Sequence, residues 1–272
     1  IATIAVCHGT YTESSVVFGI NQKVWIFGSG VDASIIGGVS SATPGYTFDC
    51  TASGVNLWLS NLTLISSRIS SGAGTVMGGV KFGAASLFAA WSCRLTGNEG
   101  AASKIGFVVD GTAVTGSSAN HRIWDCTIDG QYGVNYSIGI TGTTQHFRLD
   151  NCRIATTGAG AAEGSIGVWV QEDAQVRNCD FVGAGIGVKI SGVVGGTNTG
   201  NNVYIKNNRL RVLNGTAIKW AWTTGEHFHI HCDNNEVSDS AIFIDASTVN
   251  PTGFGSSTHN CTVNGNEGDL NN

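Results

Sequence analysis

Asn202-Val203-Tyr204-Ile205-Lys206-Asn207-Asn208-Arg209-Leu210 is the stretch from which the fold can be read. From Val203 it runs apolar, any, apolar, any, Asn, Asn, any, apolar, and the same frame returns along the whole chain. Leu57 to Leu64 spells it LWLSNLTL, Ala90 to Leu95 AWSCRL, and Ile123 to Ile128 IWDCTI. Leu149 to Ile154 gives LDNCRI and Val176 to Phe181 gives VRNCDF. Asn234-Asn235-Glu236-Val237 and a degraded Gly265-Asn266-Glu267-Gly268 continue it, and Val24 to Ser29 fits more loosely. The anchors fall at 29, 62, 93, 126, 152, 179, 208, 235 and 266, with gaps between 26 and 33 residues. Periods of this size mean stacked supersecondary units, each burying its apolar face against its neighbours.

Composition narrows the class of unit. Thirty-nine glycines, two prolines and 12% charged residues describe a turn-rich β protein, and no segment holds a 3.6-residue period. A net charge of −5 argues against a general nucleic-acid binder, and no apolar run is long enough for membrane insertion. One domain is expected over residues 1–272, and the start at Ile1, mid-strand, suggests a piece of a longer chain.

Four of the eight cysteines, Cys93, Cys126, Cys152 and Cys179, occupy the same position in successive repeats. Free Cys behaves as a small buried hydrophobe, so these read as wall residues stacked as thiols. A disulfide between neighbouring rungs is geometrically open to them. Free thiols in turn point to assembly in a reducing compartment.

A second short strand recurs between anchors, apolar-any-apolar after a glycine or small residue. Its copies include Phe48-Asp49-Cys50, Val80-Lys81-Phe82, Phe107-Val108-Val109, Val168-Trp169-Val170, Val188-Lys189-Ile190, Ile218-Lys219-Trp220 and Ile242-Phe243-Ile244. With the anchor strand and the strand after its corner, each repeat holds three short strands. The expected fold is therefore an all-β, single-stranded right-handed parallel β-helix, a solenoid of about nine coils. At about 4.8 Å per rung that is a rod of roughly 43 Å.

The chain resembles the right-handed parallel β-helix, or pectate-lyase-like, superfamily. The likeness lies in Ile4-Ala5-Val6-Cys7-His8-Gly9-Thr10-Tyr11-Thr12-Glu13, then Val24-Trp25-Ile26-Phe27-Gly28-Ser29-Gly30, and in the Asn-bearing anchors. It covers essentially the whole length and implies fold rather than activity. That superfamily includes polysaccharide lyases, glycoside hydrolases, carbohydrate esterases and trimeric bacteriophage tailspikes. Its lyase signature does not carry over: Ile123-Trp124-Asp125-Cys126 lacks the histidine, and the hydrolase set of paired Asp, His-Gly and Arg-x-Lys is absent.

Outward positions, counted coil by coil, yield the candidate sites. On the glycine-led strands they run Asp49, Lys81, Val108, Gly139, Trp169, Lys189, Lys219, Phe243, with Gln171 and Asp245 in the next column. The resemblance implies that this sheet floors a glycan groove. Trp169 supplies a ring face, while Lys189 and Lys219 a rung apart could hold an anionic sugar; the plain alternative is lysine stems covering exposed sheet. Glu99, Asp129, Glu163, Glu172 and Asp173 flank the strip, and a glycosidase would need two carboxylates about 5 to 9.5 Å apart.

The outward face of the anchor strands carries Trp25, Trp58, Trp91 and Trp124, then turns basic and polar through Arg122, Arg148, Arg177, Tyr204 and Lys206. An aromatic patch of this size suggests cover by a partner subunit. In His227-Phe228-His229-Ile230-His231-Cys232 alternation aims three imidazoles outward, where they could share a metal ion or stand as plain surface histidines. No cofactor is expected.

Three functions fit. The first is a phage tailspike or tail-fibre module that binds surface polysaccharide as a homotrimer, in the virion after assembly in the host cytoplasm. The second is a polysaccharide lyase or glycoside hydrolase, for which the alternative location is secretion, and the third a structural rod without ligand.

Overall fold

Two apolar residues two apart, followed by a pair that turns the chain, make each anchor segment a strand that ends at a corner. In the computed structural model these strands stack in parallel register into one sheet of ten. The structure describes residues 1–13, 16–38, 40–41, 46–65, 68–69, 78–82, 86–96, 107–111, 119–130, 132–138, 145–156, 166–170, 174–191, 202–221, 229–245 and 262–270. Among them the chain is an all-β parallel solenoid without helices.

The ten-strand sheet runs Ala2–Val6, Lys23–Gly28, Asn56–Ser60, Leu87–Trp91, Ala119–Trp124, Gln145–Asp150, Ala174–Arg177, Val203–Lys206, Ile230–Asp233 and Thr262–Asn264. That count exceeds the nine anchors because Ala2–Val6 adds a rung ahead of the first. Seventeen further strands wrap into a second, larger sheet holding both the post-corner and the glycine-led strands, while Ser40–Ser41 and Arg68–Ile69 pair as a separate ribbon of two. In Asp180–Ser191 and Arg209–Ala221 these two strands run on as one. Small residues permit the close approach there: a β-carbon on Gly187 would lie 2.6 Å from the Ala217 carbonyl oxygen.

Alternation decides what is inside. Val203 and Ile205, Ile230 and Cys232, Ala174 and Val176 are buried while their neighbours are half-exposed. The core is a continuous file of such residues, with Phe48, Phe88, Phe147 and Phe181 its largest members.

The corner is built from two stacked positions. The first holds a left-handed residue on successive coils: Asn61, Ser92, Asp125, Asn151, Asn178, Asn207 and Asn234, with φ between 51° and 56°. Gly265 closes the series at 61°. Asn and Asp tolerate this region because their short polar side chains bond locally. The second position is the anchor. Its carbonyls accept from the next coil without a break: Leu62 from Arg94, Cys93 from Thr127, Cys126 from Arg153, Cys152 from Asp180 and Cys179 from Arg209. Asn208 and Asn235 extend the line to Glu236 and Glu267.

The four thiols therefore do stand in file, all free and all buried. Each points back into its own corner, donating to the carbonyl two residues earlier at 3.1–3.3 Å. Past Cys179 the role passes to asparagine. Asn208 Nδ2 donates to the Val176 carbonyl and to Asn235 Oδ1, and Asn235 Nδ2 to the Ile205 carbonyl and to Asn266 Oδ1, at 2.9–3.0 Å.

Candidate functional site

Register on the glycine-led strands sets Asn135, Trp169, Lys189, Lys219 and Asp245 against one another in turn. Trp169, Lys189, Lys219 and Asp245 thus form one column. Phe243 does not belong to it: Ile244, not Ile242, lies opposite Ile218, and Phe243 packs against the core. The same two-residue offset puts Lys81 between Asp49 and Asp110, with Val108 opposite Asn135.

The two lysines are less available than strand alternation implies. Lys189 is only 7% exposed, its Nζ 4.4 Å from the centroid of the Trp169 ring. Lys219 Nζ lies 3.8 Å from Asp245 Oδ2. The column is therefore ring, cation, cation, carboxylate, with each charge facing a partner of suitable character. Gln171, Glu163, Glu172, Asp173, Glu99 and Gly139 lie outside the described residues.

Asp129 is one half of an ion pair. Its Oδ2 accepts from Arg94 Nε at 3.0 Å and from the guanidinium Nη2 at 2.8 Å, tying two coils together, and Arg94 also reaches Asp32 at 3.5 Å. The hydrogen bond and charge of Asp129 raise the Arg94 guanidinium above its ordinary value. Comparable rung-to-rung pairs join Arg177 to Asp150, Lys206 to Asp233, Arg209 to Glu236 and Arg211 to Asp180.

On the outer face of the ten-strand sheet two columns run the full length. The first is Thr3, Trp25, Trp58, Ala89, Arg122, Arg148, Gln175, Tyr204, His231, Thr262. The second is Ala5, Phe27, Ser60, Trp91, Trp124, Asp150, Arg177, Lys206, Asp233, Asn264. The tryptophans thus all face out, but they split between columns: Trp25 with Trp58, Trp91 with Trp124. Small residues lie between them, and the rings close over these. Trp25 Nε1 donates to Ser60 Oγ at 3.0 Å, and its ring centroid is 6.0 Å from that of Trp91 two rungs on. Trp91 stacks on Trp124 at 5.0 Å, Phe27 adjoins Trp25 at 5.3 Å, and the Arg122 guanidinium caps Trp124 at 4.8 Å. Phe27, Ser60 and Ala89 were not singled out from sequence, since only the register shows them beside the indoles.

The histidine row does not form a metal site among the described residues. His227 lies outside them. His229 precedes the strand in a left-handed conformation, φ 59°, so strand alternation does not govern it. His231 does face outward, but its ring stacks on Tyr204 at 4.8 Å and its Nδ1 is 2.8 Å from Thr262 Oγ1. Burial and the Lys206 charge hold this imidazole below its usual range, against an opposing pull from Asp233.

Upstream of Tyr204 the face opens into a groove of about 410 Å³, lined by Asn120, His146, Phe147, Arg148, Gln175, Asn202 and Tyr204. Of these, Arg148 and Tyr204 are the outward positions read from the sequence; Asn120, His146 and Gln175 join them only through the register.

No family model matches the chain, and no curated protein sequence matches it. Among solved structures it is similar to the Dettilon tailspike protein, at 13% identity and a TM-score of 0.36, covering 96% of this chain and 61% of that one. It is also similar to the catalytic domain of a GH87 alpha-1,3-glucanase in complex with nigerose, at 12% identity and a TM-score of 0.34, covering 97% and 64%. The chain thus spans under two thirds of either protein.

Proposed function

We propose that this chain is the β-solenoid domain of a viral tailspike or tail fibre, binding host surface polysaccharide as a homotrimer. The observation that carries the reading is the column Trp169, Lys189, Lys219, Asp245. It is an aromatic face, two cations and a carboxylate at rung spacing on one strip of sheet. A ring face stacks on the apolar side of a pyranose and the Lys219–Asp245 pair exchanges hydrogen bonds with its hydroxyl groups, while Lys189, almost wholly buried against the indole, holds the ring in place. The stack of Trp25, Trp91 and Trp124 supplies the subunit contact, because rings aligned on one face form a large apolar patch. Assembly in the host cytoplasm accords with seven free thiols among the described cysteines.

The test is retention on immobilised polysaccharides by the full chain and by a Trp169→Ala/Lys219→Ala variant, with light scattering for mass. Retention lost in the variant, from a protein of three times the chain mass, is the expected result. Equal retention would overturn the binding strip, and a monomeric mass the trimer. Release of unsaturated uronates during incubation would instead establish a lyase.

A further inference from the structure

We infer that the groove over Arg148 takes the carboxylate-bearing residue of an acidic polysaccharide, as a subsite separate from the Trp169 strip. The inference rests on the glycan-binding reading and adds a second contact on a different sheet.

Arg148 is exposed and has no ion-pair partner among the described residues. The neighbouring cations do. Arg177 is held by Asp150, Lys206 by Asp233, and Arg122 lies over Trp124. Arg148 instead stands in register with Arg122, like charge against like charge one rung apart. In the two columns from Arg122 to Asp233, four cations face two carboxylates, Asp150 and Asp233. The surplus is local, since the chain as a whole carries −5. An anion at Arg148 would relieve it.

The surroundings specify the anion. Asn120, Gln175 and Asn202 supply amide groups that pair with hydroxyls, and Arg148 a planar fork suited to a carboxylate. Tyr204 is fixed by its stacking on His231 and offers a rigid ring edge. At about 410 Å³ the groove has room for a sugar residue or two, more than an inorganic ion requires.

Calorimetry with hexagalacturonate and neutral maltohexaose tests this on the full chain, with Arg148→Gln, Arg153→Gln and the Trp169→Ala/Lys219→Ala variant. Arg153 is an exposed cation on another sheet and controls for net charge. Hexagalacturonate should bind about tenfold more weakly to Arg148→Gln and within about twofold of normal to Arg153→Gln. Equal losses in both would reduce the effect to bulk charge and overturn the inference. A loss confined to the Trp169/Lys219 variant would overturn it while sparing the strip. Maltohexaose binding as tightly as the acid would remove the carboxylate from the argument. No binding of either sugar would overturn both assignments.

Discussion

Asn235 Oδ1 accepts two hydrogen bonds from Asn208, one from the backbone N–H at 3.1 Å and one from the side-chain amide at 3.0 Å. Both residues are almost wholly buried. Asn235→Ala strands those two donors and frees the Ile205 carbonyl that Asn235 Nδ2 serves. Buried polar groups left unpaired cost about 1–3 kcal/mol. Urea unfolding should show a loss of that size with an unchanged slope; a loss below about 0.5 kcal/mol would show that the asparagine ladder adds nothing to stability.

Trp91 is the middle of the aromatic stack, touching Trp25 on one side and Trp124 on the other. Trp91→Ala should lower stability by about 1–3 kcal/mol, as two aromatic pairs at roughly 0.5–1.5 kcal/mol each are lost. The same variant should shift the sedimenting species toward monomer. An oligomer that survives the substitution would remove the stack from the subunit contact.

Acid should weaken the fold in two stages. Burial and Lys206 hold His231 below 6.5, so the unfolded chain takes up that proton first and stability declines as pH falls from 6.5. Burial works to raise Asp150, but Asn178 and Arg177 more than offset it; Lys206 and Thr262 do the same for Asp233. Both carboxyls end below 3.8, so their contribution is complete above that value and lost as pH falls through the folded-state values. Denaturation midpoints measured from pH 7 downward should show both declines. His231→Gln should flatten the upper one, and a profile identical to the parent would contradict the assignment.

Alkylation should separate the thiols. Cys7 is exposed, whereas Cys50, Cys93, Cys126, Cys152, Cys179 and Cys232 are buried. Burial, aided by the Asp49 charge, pushes the Cys50 thiol far up, and burial likewise raises Cys126 and Cys179; the hydrogen bond with Cys126 pulls Cys93 and Cys152 down, so for those two burial alone keeps the reagent out. Iodoacetamide on the native protein should label Cys7 quickly and these six only after denaturation, read by peptide mass spectrometry. Fast labelling of Cys126 would mean that the wall opens.

The anchors were legible in the sequence because two signals coincide there: alternation that buries Val203 and Ile205, and a corner that demands a left-handed residue such as Asn207. Register on the glycine-led strands was not. A slip of one residue would turn core side chains to solvent, but a slip of two keeps every residue on its own face. Phe243 and Asp245 are equally good outward candidates by pattern, and only pairing with Lys219 separates them. The same ambiguity hid Asp110 beside Lys81 and the split of the tryptophans between two columns. Cross-coil partners such as Arg94 and Asp129, 35 residues apart, emerge only once every coil is phased. Lys189 shows a further limit, since alternation gives a side chain's direction but not what covers it.

Coils of 26 and of 33 residues share the same unbroken line of carbonyls through Cys93, Cys126 and Cys152. The stack is thus forgiving of length and strict about phase. Residues added between strands leave the corner geometry intact, whereas one residue added inside Val203–Lys206 would turn Ile205 to water and break step with both adjoining coils.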